Sequence, residues 1–274
     1  MSEPIGARIL SRQCEVGVID VKTASRDRVE EIIWLAPFVF LLAGTVKGAI
    51  GIGLPTTVIA ILSQFVDPRM AVALGLFPIV LANLWQIHRE GGWRAALARY
   101  WPFSVSLAVS ILLFSDVAAD MRPQTIIMIT GIGIALFSGV NLIRRPPPLP
   151  ARWERPAQVI AGIAAGLAGG LTGLWAPPMV ILLLSLRIDK SEFVRASGLL
   201  LFLGGMPLMA GYAWNGLLTR EIFLWSLAML IPTFIGFSIG ERVRRKMADA
   251  RFQHAVLIFF LLMGLNMIRR GLAG

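Results

Sequence analysis

The chain is poor in the residues that build most catalytic centres and most soluble surfaces. Among 274 residues there is one cysteine, Cys14, and there are two histidines, His88 and His254. A lone cysteine forms no disulfide or thiolate framework, and it leaves the redox compartment unread. The two histidines stand far apart with no ligand partners nearby, so neither a metal nor any other cofactor is expected. Charged residues make up only 15% of the chain, against about 25% in soluble domains. None of the sixteen Asp and Glu residues lies inside an apolar run, which argues against the carboxylate relay of many proton-coupled pumps. No nucleophile–base pair or phosphate loop appears. The glycine-rich segment at 48–53 follows an apolar helical run instead of a strand, so a dinucleotide reading fails. An enzyme is not expected.

What the chain has is hydrocarbon. Hydrophobic residues make up 56% of it, and uncharged apolar runs at 123–143, 156–186 and 222–240 approach or exceed the ~20 residues a helix needs to cross a bilayer. The short alternating segments of a barrel are missing. The expected class is all-α, a polytopic transmembrane helical bundle with the lipid bilayer as its first partner. The net charge of +10 comes from Lys and Arg in short loops between apolar runs, which sets membrane orientation and does not point to nucleic acid. Residues 1–31 are polar and lack the pattern of a signal peptide, and read as a tail or surface segment.

One stretch occurs twice. Residues 44–55 read GTVKGAIGIGLP and residues 166–177 read GLAGGLTGLWAP, with Gly44/Gly166, Gly48/Gly170, Gly51/Gly173 and Pro55/Pro177 in step. The same offset of 122 also pairs Val58/Val180, Ile59/Ile181, Ser63/Ser185, Asp67/Asp189 and Val72/Val194. So many matches at one offset mark an internal duplication. Each copy predicts a helix, a glycine break near mid-membrane depth and a short helix leading back out. Glycine permits the break and proline starts the helix after it. The expected organisation is repeat 1 at 32–143, a proline-rich cytoplasmic linker at 144–155 and repeat 2 at 156–270. Each repeat has a broken-helix hairpin followed by three spanning helices. Placing the basic loops at 88–99, 144–155 and 241–251 on one side requires each hairpin to return to the side it left. The two repeats are then inverted, with both termini outside, an architecture of secondary transporters that builds sites at broken helices.

Lys47 leads the candidate residues. It lies about 15 residues into its apolar helix, ~20 Å deep, and a cation there signals function by default. No intramembrane carboxylate is available to pair with it, so an anionic substrate would supply the counter-charge. The repeat has Gly169 at the matching position, which makes the role one-sided. The short helices opening at Pro55 and Pro177 would aim free N–H groups and positive dipole ends at an anion. Gly51, Gly53 and Gly173 open the backbone there, while Thr56, Thr57 and Thr172 bring hydroxyls that can equally bond their own helices. Other polar residues in apolar runs are Asn83, Gln86, Asn141, Asn215 and Asn266. Asn83 and Gln86 share a face, one turn apart, and Asn83 is taken into the site. Trp175 beside the second break walls a pocket or simply packs. Asp67 and Asp189 are read as helix caps, and Arg195 is expected to reach the surface.

These residues resemble the TauE/SafE sulfite exporter family of bacterial membrane permeases over about 33–270. The resemblance rests on the duplicated glycine–proline stretch, the acidic turn after the short helix, and His88-Arg89 with Gly91-Gly92. It also rests on the Pro232-x3-Gly236-x3-Gly240-x-Arg242 pattern. Leu174-Trp175-Ala176 stands where further glycine would match better. The resemblance implies a multi-pass protein of the bacterial inner membrane that moves sulfite, sulfonates or related anions. The expectation is a secondary transporter of a small sulfur-containing oxyanion working by alternating access. An anion channel and a non-transporting membrane scaffold in a sulfur pathway are the alternatives. A coupling ion and a homo-oligomer stay open.

Overall fold

The computed structural model describes residues 26–62, 65–66, 68–115, 123–143, 148–214, 216–246 and 248–273, with some side chains inside these helices left aside. The regular elements among the described residues are all helices, without strands. In order they form α1 (Arg26–Ile50), α2 (Leu54–Leu62), α3 (Pro68–Glu90), α4 (Trp93–Ser115), α5 (Pro123–Ile143), α6 (Glu154–Thr172), α7 (Ala176–Ser185), α8 (Lys190–Trp214), α9 (Arg220–Ala228), α10 (Leu230–Arg245) and α11 (Asp249–Ala273). The segments Met70–Glu90, Trp93–Phe114, Lys190–Trp214 and Arg220–Arg245 are long and apolar enough to cross a membrane.

α1 begins at Arg26, inside the stretch expected to be a tail. The run 222–240, expected as one helix, is divided at Met229 between α9 and α10. Pro232 has no N–H for the Ala228 carbonyl, which weakens the ladder there. Asp189 caps α8 by accepting from Glu192 N at 2.7 Å. Its counterpart Asp67 lies outside the described residues.

The segment Pro37–Gly274 forms one compact unit. α3 and α8, the counterparts in the two copies, are its most buried spans. They run antiparallel, with Gln86 against Gly198 and Val80 against Gly205. α5 and α11, also counterparts, are antiparallel too, since Gly264 meets Ala135 and Gly271 meets Met128. Two further pairs run parallel. Gly162 and Gly166 of α6 lie on the Phe103 and Leu107 carbonyls of α4, and Gly236 and Gly240 of α10 lie on those of Leu41 and Thr45 of α1. Both parallel pairs rely on glycine because helix backbones approach this closely only without side chains between them. The faces left outward are apolar at helical spacing: Val105, Val109 and Leu112 on α4, and Ile231, Ile235 and Ile239 on α10.

A buried proline shows how the bundle completes its backbone. Pro78 lies inside α3 and has no N–H to offer the Leu74 carbonyl. Ser226 of α9, fully buried, donates its hydroxyl to that carbonyl at 2.7 Å and accepts from Phe77 N at 3.3 Å.

The basic loops gather at one end. Arg89 donates to both oxygens of Glu241 at 3.1 and 3.2 Å, and Arg244 pairs with Glu90 at 2.5 Å. Arg99 binds Glu154 at 2.7 Å and also Glu192, which accepts from the Tyr100 hydroxyl at 3.1 Å. Leu149 N donates to Ser185 O at the end of α7. The second hairpin, α6 out and α7 back, thus returns to the end it left.

Candidate functional site

The two glycine breaks have the same local form. Gly51 N donates to Lys47 O at 2.6 Å and Gly173 N to Gly169 O at 2.8 Å, and the matched donor–acceptor pairs close both helices. Both glycines take left-handed backbone, φ 80° and 71°, which other residues enter at a cost. Each break packs on the other copy: Gly51 against Val194 one turn into α8, and Gly173 against Val72 one turn into α3. The contacts are equivalents of one another, because Val72 and Val194 are themselves a matched pair.

This geometry corrects the expected depth. α3 and α8 are antiparallel, so the two contact points lie towards opposite ends of the pair. Gln86 bonds to Val194 O beside the first break, and Val72 lies 14 residues earlier on α3, about 21 Å away along the helix. The breaks therefore do not meet in one mid-depth pocket. The first lies one to two turns below the Arg89–Glu241 cluster.

Lys47 occupies that first break and is only 1% exposed. Its Nζ donates to Asn83 Oδ1 at 2.5 Å, to Gln86 Oε1 at 2.8 Å and to Gly51 O at 3.5 Å. All three acceptors are neutral. The amide ends of both side chains are committed elsewhere: Asn83 Nδ2 donates to Ile79 O at 2.7 Å, and Gln86 Nε2 to Val194 O at 2.6 Å and Ser197 Oγ at 3.5 Å. Dipoles thus solvate the ammonium without cancelling its charge. Sequence reasoning placed Asn83 in the site but left out Gln86, although the one-turn spacing was the available signal. Nothing local marks Ser197 or the Val194 carbonyl, because packing against α8 brings them in.

The structure brings Lys47, Gly51 and Asn83 together and places the other candidates around them or apart. Gly53, φ 100°, lies against Phe259 and Val46. Pro55 sits in the first turn of α2, followed by the buried Thr56 and Thr57. The Thr57 hydroxyl has no hydrogen-bond partner. Gly173 and Pro177 belong to the distant second break, and the Thr172 side chain lies outside the described residues. Pro177 and Pro178 both stand in the first turn of α7, and neither has an N–H, so that helix end offers fewer donors than expected. Trp175, 1% exposed, holds its Nε1 without a partner. That nitrogen faces Gly204 on α8, where an added Cβ would lie 2.5 Å from it.

The copies exchange their large residue. Position 47 is Lys where 169 is Gly, and position 53 is Gly where 175 is Trp; a Cβ at Gly169 would lie 3.0 Å from Trp175 Cβ. The second break is filled by an indole, and the first holds the charge. Arg195, expected at the surface, is partly buried against Gly92, with its Nε unpartnered. Asn266 accepts from Arg269 near the end of α11 at 3.1 Å. Asn215 and the side chain of Asn141 lie outside the described residues. Among the described residues, no cluster of three His, Cys, Asp or Glu could hold a metal ion.

No curated protein and no solved structure matches this chain. The model of the family Sulfite exporter TauE/SafE matches residues 36–267. The chain belongs to that family of membrane transport proteins, and it is a multi-pass membrane protein.

Proposed function

We propose that this member of the sulfite exporter TauE/SafE family is a secondary transporter of the bacterial inner membrane. Its substrate is a small sulfur-containing oxyanion, sulfite or an organosulfonate, bound beside Lys47. The observation that carries this reading is a fully buried ammonium held by three neutral acceptors. A buried charge without a counter-charge is costly, and an anion offsets that cost while it is bound.

Gly51 and Asn83 fix the ammonium. Gly53, Pro55, Thr56 and Thr57 line the approach from α2, with the unpartnered Thr57 hydroxyl as a donor. Gly173, Thr172, Trp175 and Pro177 form the matching element of the second repeat, where the free indole N–H serves the path through the bundle. Alternating access between two inverted repeats is supported by the antiparallel packing of the counterpart pairs α3/α8 and α5/α11. The basic loops gathered at one end support a cytoplasmic orientation for that end, including the 144–155 linker. In this state the Arg89–Glu241 and Arg244–Glu90 pairs join the two repeats across the basic end.

The test is uptake of labelled sulfite into proteoliposomes. A carrier of this kind saturates, and Lys47→Ala removes the flux while the protein stays folded. Non-saturating conductance would favour a channel, and undiminished flux in Lys47→Ala would reject the site.

A further inference from the structure

We propose that the Lys47 site is built for oxyanions carrying a single negative charge, and that Gln86 and Asn83 are the positioning residues that set this limit. The proposal rests on the reading of Lys47 as the anion site.

The argument is one of charge. Lys47 is the one buried cation among the described residues that has no carboxylate partner. Arg244, 8% exposed, pairs with Glu90 and Glu241, and Glu241, 6% exposed, also takes Arg89 and Arg245. Arg195, next to Val194 on α8, turns its guanidinium to Gly92 and is only partly buried, so Lys47 is the one fully buried charge at the first break. A monoanion, such as a simple organosulfonate or the hydrogensulfite form of sulfite, neutralises it. A dianion brings one further charge into a low-dielectric site with no partner, and that uncompensated charge opposes binding.

Gln86 and Asn83 keep the single charge available. Each turns its oxygen to the ammonium because its nitrogen is already taken by a backbone carbonyl, Val194 O or Ile79 O. Flipping the Gln86 amide would set its oxygen against the Val194 carbonyl and its NH₂ against the ammonium, so the network fixes the assignment. Gly198 leaves the room this requires: a Cβ there would lie 2.9 Å from Gln86 Nε2. The two side chains thus coordinate Lys47 firmly while contributing no charge. A carboxylate of the same size at position 86 would sit at hydrogen-bond distance from Nζ and cancel the site from within.

Methanesulfonate and sulfate separate charge from shape, since both present tetrahedrally arranged oxygens on sulfur and differ by one unit of charge. Binding of each to the purified full-length protein is measured at neutral pH and equal ionic strength. The expected result is methanesulfonate binding about tenfold tighter than sulfate or more, a difference of about 1.4 kcal/mol. Gln86→Glu is expected to fold with a lowered melting temperature, because it loses the donation to Val194 O, and to lose the response to both anions. Asn83→Asp gives the same reading if Gln86→Glu fails to fold. Sulfate binding as tight as methanesulfonate would overturn the charge limit and leave the anion site standing. Retained methanesulfonate binding in either folded variant would overturn the role of the two amides. Binding of neither anion by the wild-type protein would overturn the Lys47 anion site and this proposal with it.

Discussion

Replacing Ser226 with alanine should destabilise the protein through a backbone group that Ser226 does not own. Pro78 leaves the Leu74 carbonyl without its helical donor, and the Ser226 hydroxyl supplies one at 2.7 Å from a neighbouring helix. Removing the hydroxyl strands that carbonyl in a fully buried position. An orphaned buried acceptor costs about 1–3 kcal/mol, and little water can reach the centre of a membrane bundle to relieve it. We expect Ser226→Ala to cost about 2 kcal/mol in equilibrium unfolding of the detergent-solubilised protein. The cause can be isolated by a double-mutant cycle with Pro78→Ala, which restores an N–H at position 78 within reach of Leu74 O. In that background Ser226→Ala should cost less than about 1 kcal/mol, a coupling of the size seen for directly interacting groups. An equal penalty in both backgrounds would refute the reasoning, because the hydroxyl would then not be substituting for the missing N–H.

Further outcomes follow from the same geometry. Gly240→Ala would set a Cβ 2.0 Å from Thr45 O and 2.6 Å from Ala49 N; both are backbone atoms, so α1 and α10 must part, at a cost of about 1–3 kcal/mol. Gly211→Ala, with open space around it, should leave thermal stability unchanged or slightly raised, and equal melting of the two variants would contradict the close-packed contact. Thr57→Val removes a buried hydroxyl without a partner, so the melting temperature should hold or rise. Anion affinity in that variant should fall roughly fivefold to tenfold, the worth of about one hydrogen bond; unchanged affinity would remove Thr57 from the site.

The helices were largely legible in the sequence because their ends are marked chemically. Gly51, Gly173 and the prolines after them stop and restart the chain, and charged loops close the long spans. The part of α1 before the apolar run was harder to place, since 26–31 are polar and carry no apolar periodicity. Lys47 was legible because a charge inside an apolar run has few explanations. Its surroundings were not, since Gln86 reaches Lys47 from 39 residues away and Val194 from 108 residues away. Such contacts depend on how α3 meets α8, which no local pattern encodes. The same holds for Ser226 and Pro78. The depth of the breaks was misread for a related reason: the duplication gives two equivalent breaks, and only the antiparallel packing of α3 and α8 sets them apart.

The central claim, that Lys47 is the counter-charge for a transported oxyanion, is tested most directly by thermal stability. The full-length protein and Lys47→Ala would be melted in detergent with sulfite, short sulfonates and chloride at equal ionic strength. A ligand at 100 times its Kd stabilises by about 2.7 kcal/mol, which is readily seen. The account predicts a selective upward shift with sulfite or a sulfonate that disappears in Lys47→Ala. The same shift in Lys47→Ala as in the wild-type protein would contradict it.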